Sequence, residues 1–112
     1  MKRIIFITII AIIAITGCNK LDIAKGTPKC IENKIKDFDK TSCDNGANVK
    51  EYTFQNKTVY VFDPGTCGAD MTSEVIDSDC NSMGFFGGIA GNTIINGQDF
   101  SNASYVKTTW EK

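Results

Sequence analysis

The sequence predicts an α+β fold: one N-terminal helix packed on a small antiparallel sheet, closed by a Gly-rich loop and two disulfides. Three observations carry this expectation. Apolar residues after Pro28 recur at helical spacing, and two short runs rich in Val, Tyr, Phe and Thr flank a polar turn. Four cysteines follow an export signal, which places them where oxidation is allowed.

The helix is expected to start at Gly26-Thr27-Pro28. Thr27 reads as its N-cap, with Pro28 at the first helical position, where a missing N–H costs nothing. Cys30, Ile31, Ile35 and Phe38 then share one side of a helix running to about Asp39, while Lys29, Glu32, Lys36 and Asp37 face water. Thr41 to Asn48 is turn-like, and Asp44-Asn45-Gly46 is its strongest breaker.

Val49 to Gln55 and Lys57 to Asp63 form the expected hairpin around Gln55-Asn56-Lys57. Alternation puts Val59 and Val61 on one face and Tyr60 and Phe62 on the other. Both faces therefore need cover, one from the helix and the other from later chain. Asp63-Pro64-Gly65 ends the second strand, because Pro64 lacks a ladder donor. A shorter strand includes Val75 and Ile76. Gly84 to Gly97 carries Gly84, Gly87, Gly88, Gly91 and Gly97 and reads as an irregular loop, with Phe85, Phe86 and Ile89 packed inward. Ser104 to Trp110 is the last strand, with Val106, Thr108 and Trp110 on one face.

The N-terminus sets the compartment. Lys2 and Arg3 precede a 12-residue apolar run, Ile4 to Ile15, interrupted only by Thr8. About 20 apolar residues are needed to cross a bilayer, so this is a signal-peptide core and not a span. Ile15-Thr16-Gly17-Cys18 resembles the lipobox cut by lipoprotein signal peptidase, which makes 1–17 the signal peptide and Cys18 the lipidation site, a palmitate-bearing anchor. Residues 18–27 would be a lipidated tether and 28–112 the domain. Removing 1–17 takes Lys2 and Arg3 away and moves the net charge from −1 to −3. That mild acidity argues against nucleic acid as a partner. The expected partners are the lipid bilayer and an unknown envelope protein or ligand.

With Cys18 lipidated, Cys30, Cys43, Cys67 and Cys80 remain to form two bridges. Three connectivities are open. The local pair Cys67–Cys80 is weakly favoured, whereas Cys30–Cys80 with Cys43–Cys67 would tie the helix to the sheet. A metal site is not expected, since the chain has no histidine and no closely spaced cysteine pair. Asp77, Asp79 and Asn81 alternate like the start of a calcium loop, but Ser82 and Gly88 stand where the glycine and glutamate belong. Asp70 and Glu74 are the one carboxylate pair worth noting for acid–base chemistry. The glycine segment lacks the spacing and the following Lys-Ser/Thr of a phosphate loop. No cofactor is expected and no catalytic residue is assigned. The absence of histidine removes the common triads, so the chain is expected not to be an enzyme. A non-catalytic binding module of the envelope is the leading expectation. A thiol-redox protein using Cys67 or Cys80 is the alternative, and an inhibitor of secreted enzymes a further one.

Several segments together resemble a family of small lipoproteins from Bacteroidota grouped as domain of unknown function 6970. They are Cys30-Ile31-Glu32-Asn33-Lys34-Ile35, Val59-Tyr60-Val61-Phe62, the turn at Cys67, Cys80-Asn81, Gly84-Phe85-Phe86-Gly87-Gly88-Ile89-Ala90-Gly91-Asn92, and Trp110. The resemblance covers about residues 28–112. Many members carry two adjacent cysteines where this chain has Cys67-Gly68, and Cys43 would supply the displaced partner. The resemblance implies the envelope of a Gram-negative cell and lends no activity. Asn19 after the lipidated cysteine suits the outer membrane. The absence of an acidic run after Cys18 suits its periplasmic leaflet.

Overall fold

The computed structural model describes residues 21–112; the expected signal peptide and Cys18 lie outside them. Helix α1 (Lys29–Thr41) is followed by β1 (Asn48–Phe54), β2 (Lys57–Asp63), β3 (Thr72–Asp77) and β4 (Ser82–Gly87). A small hairpin of β5 (Ile94–Ile95) and β6 (Gln98–Asp99) comes next, then a 3-10 turn (Phe100–Asn102) and β7 (Ser104–Glu111). The main sheet has the order β4-β3-β2-β1-β7, and every pairing in it is antiparallel. The fold is thus α+β, one helix on a five-stranded antiparallel sheet with two disulfides. Among the described residues, no helix is long and apolar enough to cross a membrane.

Alternation in the strands divides the core in two. On the helix side, Ile31 and Ile35 meet Val49, Tyr60, Phe62, Ile76 and Trp110. Burying Ile31 and Ile35 contributes about 2 kcal/mol each, which a 13-residue helix needs because isolated helices of that length are marginal. On the other side, Phe54, Val59, Val61 and Val75 are covered by Ile95 of the hairpin and by Phe100 of the 3-10 turn. Later chain therefore covers the second face, as the two-faced apolar pattern of β2 required.

Both disulfides fix the helix to the sheet. Cys30 in its first turn joins Cys80 in the β3–β4 turn, and Cys43 just past its end joins Cys67 after β2. The favoured local pair Cys67–Cys80 is therefore incorrect. The β3–β4 ladder carries Cys80 to the end of the sheet where α1 begins, while Cys67 follows the opposite end of β2. Gly65, at φ +102°, lets the backbones around this second bridge approach, with Cys43 N–H donating to Pro64 O at 2.8 Å.

Three other expectations change. The helix starts at Lys29 with Pro28 as its N-cap residue, and Thr27 Oγ1 donates back to Ala24 O instead of capping α1. Residues 84–97 are not an irregular loop: their first part is strand β4, and the rest holds a tight turn and strand β5 with the turn that leads into β6. Phe86 does pack inward, but Phe85 is 52% exposed and Ile89 86% exposed. In β7, two register shifts against β1 break strict alternation, so Thr109 and Trp110 are both buried while Val106 points outward. The chain before α1 is docked over its described part. Leu21 and Ile23 pack against the helix-side core, and Ala24 N–H donates to Thr109 O at 2.9 Å.

Candidate functional site

Helix α1 leaves the β3–β4 margin of its sheet face only partly covered, and a groove of about 320 Å³ runs between them. The floor is apolar: Phe62 from β2 and Ile76 from β3. Phe38 forms the helix wall. It is held by edge-on contacts to Phe62 (centroids 5.2 Å) and Trp110 (6.1 Å), so the wall is rigid. Phe85 stands opposite on β4, on the sheet face that Phe86 does not share. Lys34 and Asp37 of α1 and Glu74 of β3 add charges of both signs. The volume is at the lower end for small-ligand sites. The groove suits an aromatic or branched aliphatic group flanked by charges. The lining also contains the hydroxyls of Thr41 and Thr72.

The remaining sequence candidates serve the scaffold. Glu74 lines the groove and Asp70 does not, so the suggested carboxylate pair does not share a site. Asp77 is consumed by its own turn. Its Oδ1 accepts from the Asp79 and Asn81 amides, each at 2.9 Å, and its Oδ2 from Asn81 Nδ2 at 3.3 Å. The Asn81 amide, then the Asn81 side chain, the Asp79 amide and the Lys57 charge, hold its carboxyl below the usual aspartate value. Spent on amide donors, this carboxylate is not presented as a calcium ligand. Among the described residues, no three His, Cys, Asp or Glu side chains converge as a metal site. Asp99 does similar work at the 3-10 turn, accepting from the Ser101 amide at 2.9 Å and from Thr93 Oγ1 at 3.3 Å.

Among the described residues the cysteines are bridged: Cys30 with Cys80, Cys43 with Cys67. Cys43 is buried and Cys67 is exposed. Sequence reasoning missed the groove because Phe85 reads as a core residue inside a glycine-rich stretch. Its alternation with Phe86, once that stretch is taken as a strand, was the available signal.

No curated protein and no solved structure matches the chain. A family model matches residues 33–112, which include the groove wall Phe38, its floor, Phe85 and three of the four bridged cysteines. On that match, the chain belongs to the family described as Domain of unknown function (DUF6970).

Proposed function

We propose that this protein is a lipoprotein anchored through Cys18 to the periplasmic leaflet of a Bacteroidota outer membrane. Its domain is a non-catalytic binding module that uses the α1–β4 groove. The observation that carries the binding reading is Phe85, a large side chain 52% exposed beside an apolar floor and a mixed-charge rim. The lipobox-like Ile15-Thr16-Gly17-Cys18 supports the anchor. Competing with this is a thiol-redox role, favoured by the exposure of Cys67.

Two measurements on the full chain, produced in a Gram-negative host, test the reading. Growth with an alkyne fatty acid is expected to label the protein, and Cys18→Ala to abolish the label. A photo-crosslinking amino acid at Phe85 is expected to capture a discrete envelope partner that the same probe at Lys57, the exposed first residue of β2, does not. Equal capture at both positions overturns the groove as a binding site. Label retained in Cys18→Ala overturns the anchor.

A further inference from the structure

A second surface flanks α1 on the side away from the groove. The chain from Leu21 to Lys25 lies beside the helix, and the two enclose a hollow of about 420 Å³. Its apolar contribution comes from Leu21 and Ile23, both partly buried against the core. Its charges come from Lys25, Lys29 and Lys36, against the single carboxylate of Glu32, which lies 3.8 Å from Lys29 Nζ. Lys29, Lys36 and Lys40 are exposed at helical spacings of seven and four, which extends this basic stripe along the helix. Asp22 belongs to a different hollow, against Thr108–Glu111. The domain sequence is net acidic, so a locally basic face is a departure from its average.

The position of this face relative to Cys18 is set by covalent length. Only Asn19 and Lys20 separate Cys18 from Leu21, and three residue steps reach at most about 11 Å. A bilayer's headgroup layer is itself roughly 5–8 Å deep. Because Leu21 and Ile23 are docked on the core and Ala24 is bonded to β7, no further slack is available beyond Leu21. An acylated Cys18 therefore keeps the Leu21–Lys25 edge within about one headgroup layer of the membrane.

We infer that the face formed by Leu21–Lys25 and the lysine stripe of α1 lies on the anionic phospholipid headgroups of the anchoring membrane. This rests on the lipidation of Cys18 proposed above. Lys25, Lys29 and Lys36 meet lipid phosphates, and Leu21 and Ile23 hold the link short. The α1–β4 groove, on the other flank of the helix, stays open to the periplasm.

The test uses the full chain after processing in a lipidating host, with intact mass recording the acyl chains. The acylated protein is reconstituted in vesicles of phosphatidylethanolamine with phosphatidylglycerol, or of phosphatidylcholine alone, and its lysines are acetylated and mapped. In the anionic vesicles, Lys25, Lys29 and Lys36 are expected to react roughly fivefold more slowly than in detergent, with Lys50 and Lys57 unchanged. The protection is expected to fall in 0.5 M salt, given a Debye length of only about 4 Å there. In the double variant K29E/K36E, protection of Lys25 is expected to disappear while acylation persists. An acylated protein whose lysines react at uniform rates, or are equally protected in phosphatidylcholine, overturns the docking face and leaves the anchor standing. A mass without acyl chains overturns both.

Discussion

The Lys112 ammonium donates to the backbone carbonyl of Asp39 at 2.6 Å, across 73 positions of sequence. The same ammonium reaches Ser42 O at 3.1 Å and lies 3.9 Å from the Asp39 carboxylate. The last turn of α1 carries backbone carbonyls with no partner in the helix, and a cation there also meets the negative end of the helix dipole. Lys112 N–H donates in turn to Ala47 O, so the stem of the side chain is fixed before the ammonium reaches out. Lys112→Met is expected to cost about 1 kcal/mol, lowering the melting temperature by roughly 5 °C. Thermal melting followed by circular dichroism checks this. Lys40→Met, an exposed lysine in the same last turn, serves as the comparison and is expected to stay within about 0.5 kcal/mol of wild type.

The two bridges are nested, with Cys43–Cys67 closing 24 positions inside the 50 closed by Cys30–Cys80. Chain entropy gives about 3 kcal/mol for the inner bridge alone and about 4 kcal/mol for the outer one alone. Peptide mapping without reductant is expected to recover these two pairs. The double variants C43A/C67A and C30A/C80A are expected to lose close to those stabilities in urea unfolding. Alkylation of the lipidated protein is expected to add no group before reduction and four after it. Labelling of Cys43 and Cys67 before reduction would move the redox reading to the front.

What was legible in the sequence is what local chemistry decides. Ile31, Ile35 and Phe38 repeat at helical spacing, and Val59 to Phe62 alternate between two faces, so α1 and the β1–β2 hairpin were readable from the local pattern of apolar residues. Glycines concealed β4. Gly84 and Gly87 sit at φ +134° and +94° inside the strand and at its end, values that a propensity argument takes as loop. The bridge pairing depends on where β3 and β4 bring Cys80, a non-local fact. The outward turn of Val106 follows from register shifts against β1 that the sequence of β7 does not reveal. The groove was illegible for the same reason, since its walls come from α1 and β4, which only the assembled sheet places opposite one another.

Asp77 gives the fold a defined acid sensitivity. Its carboxyl is held below the ordinary value chiefly by the Asn81 amide. A carboxyl with a lowered folded-state pKa contributes stability that is complete above its unfolded value of about 3.9 and is lost as pH falls through the folded value. Asp77→Asn keeps one acceptor oxygen and removes the charge. The urea midpoint of this variant is expected to lie below wild type at pH 6, and the gap is expected to narrow by pH 2.5. A gap that is constant between those two pH values would show that the carboxylate charge does not support the turn. Asp99 has its carboxyl lowered chiefly by the Ser101 amide and shifts in the same direction.

Gly65 is where the inner bridge tolerates least. A Cβ there would lie 2.5 Å from Asn45 O, 2.9 Å from Cys43 Cβ and 3.0 Å from Ala47 N, and the residue holds φ +102°. All three neighbours belong to the segment that carries the bridge, and two are backbone atoms, so none can swing away as a flexible side chain would. Gly65→Ala is expected to cost about 3 kcal/mol, from backbone strain and overpacking together. Gly97→Ala separates the two contributions. Gly97 also has positive φ, +83°, but nothing lies within 4 Å of its would-be Cβ, so only strain remains. That variant is expected to cost about 1 kcal/mol. Urea unfolding of both proteins with disulfides intact measures the difference. Equal losses would mean that steric approach at the Cys43–Cys67 bridge does not limit residue 65, and that its positive φ alone requires glycine.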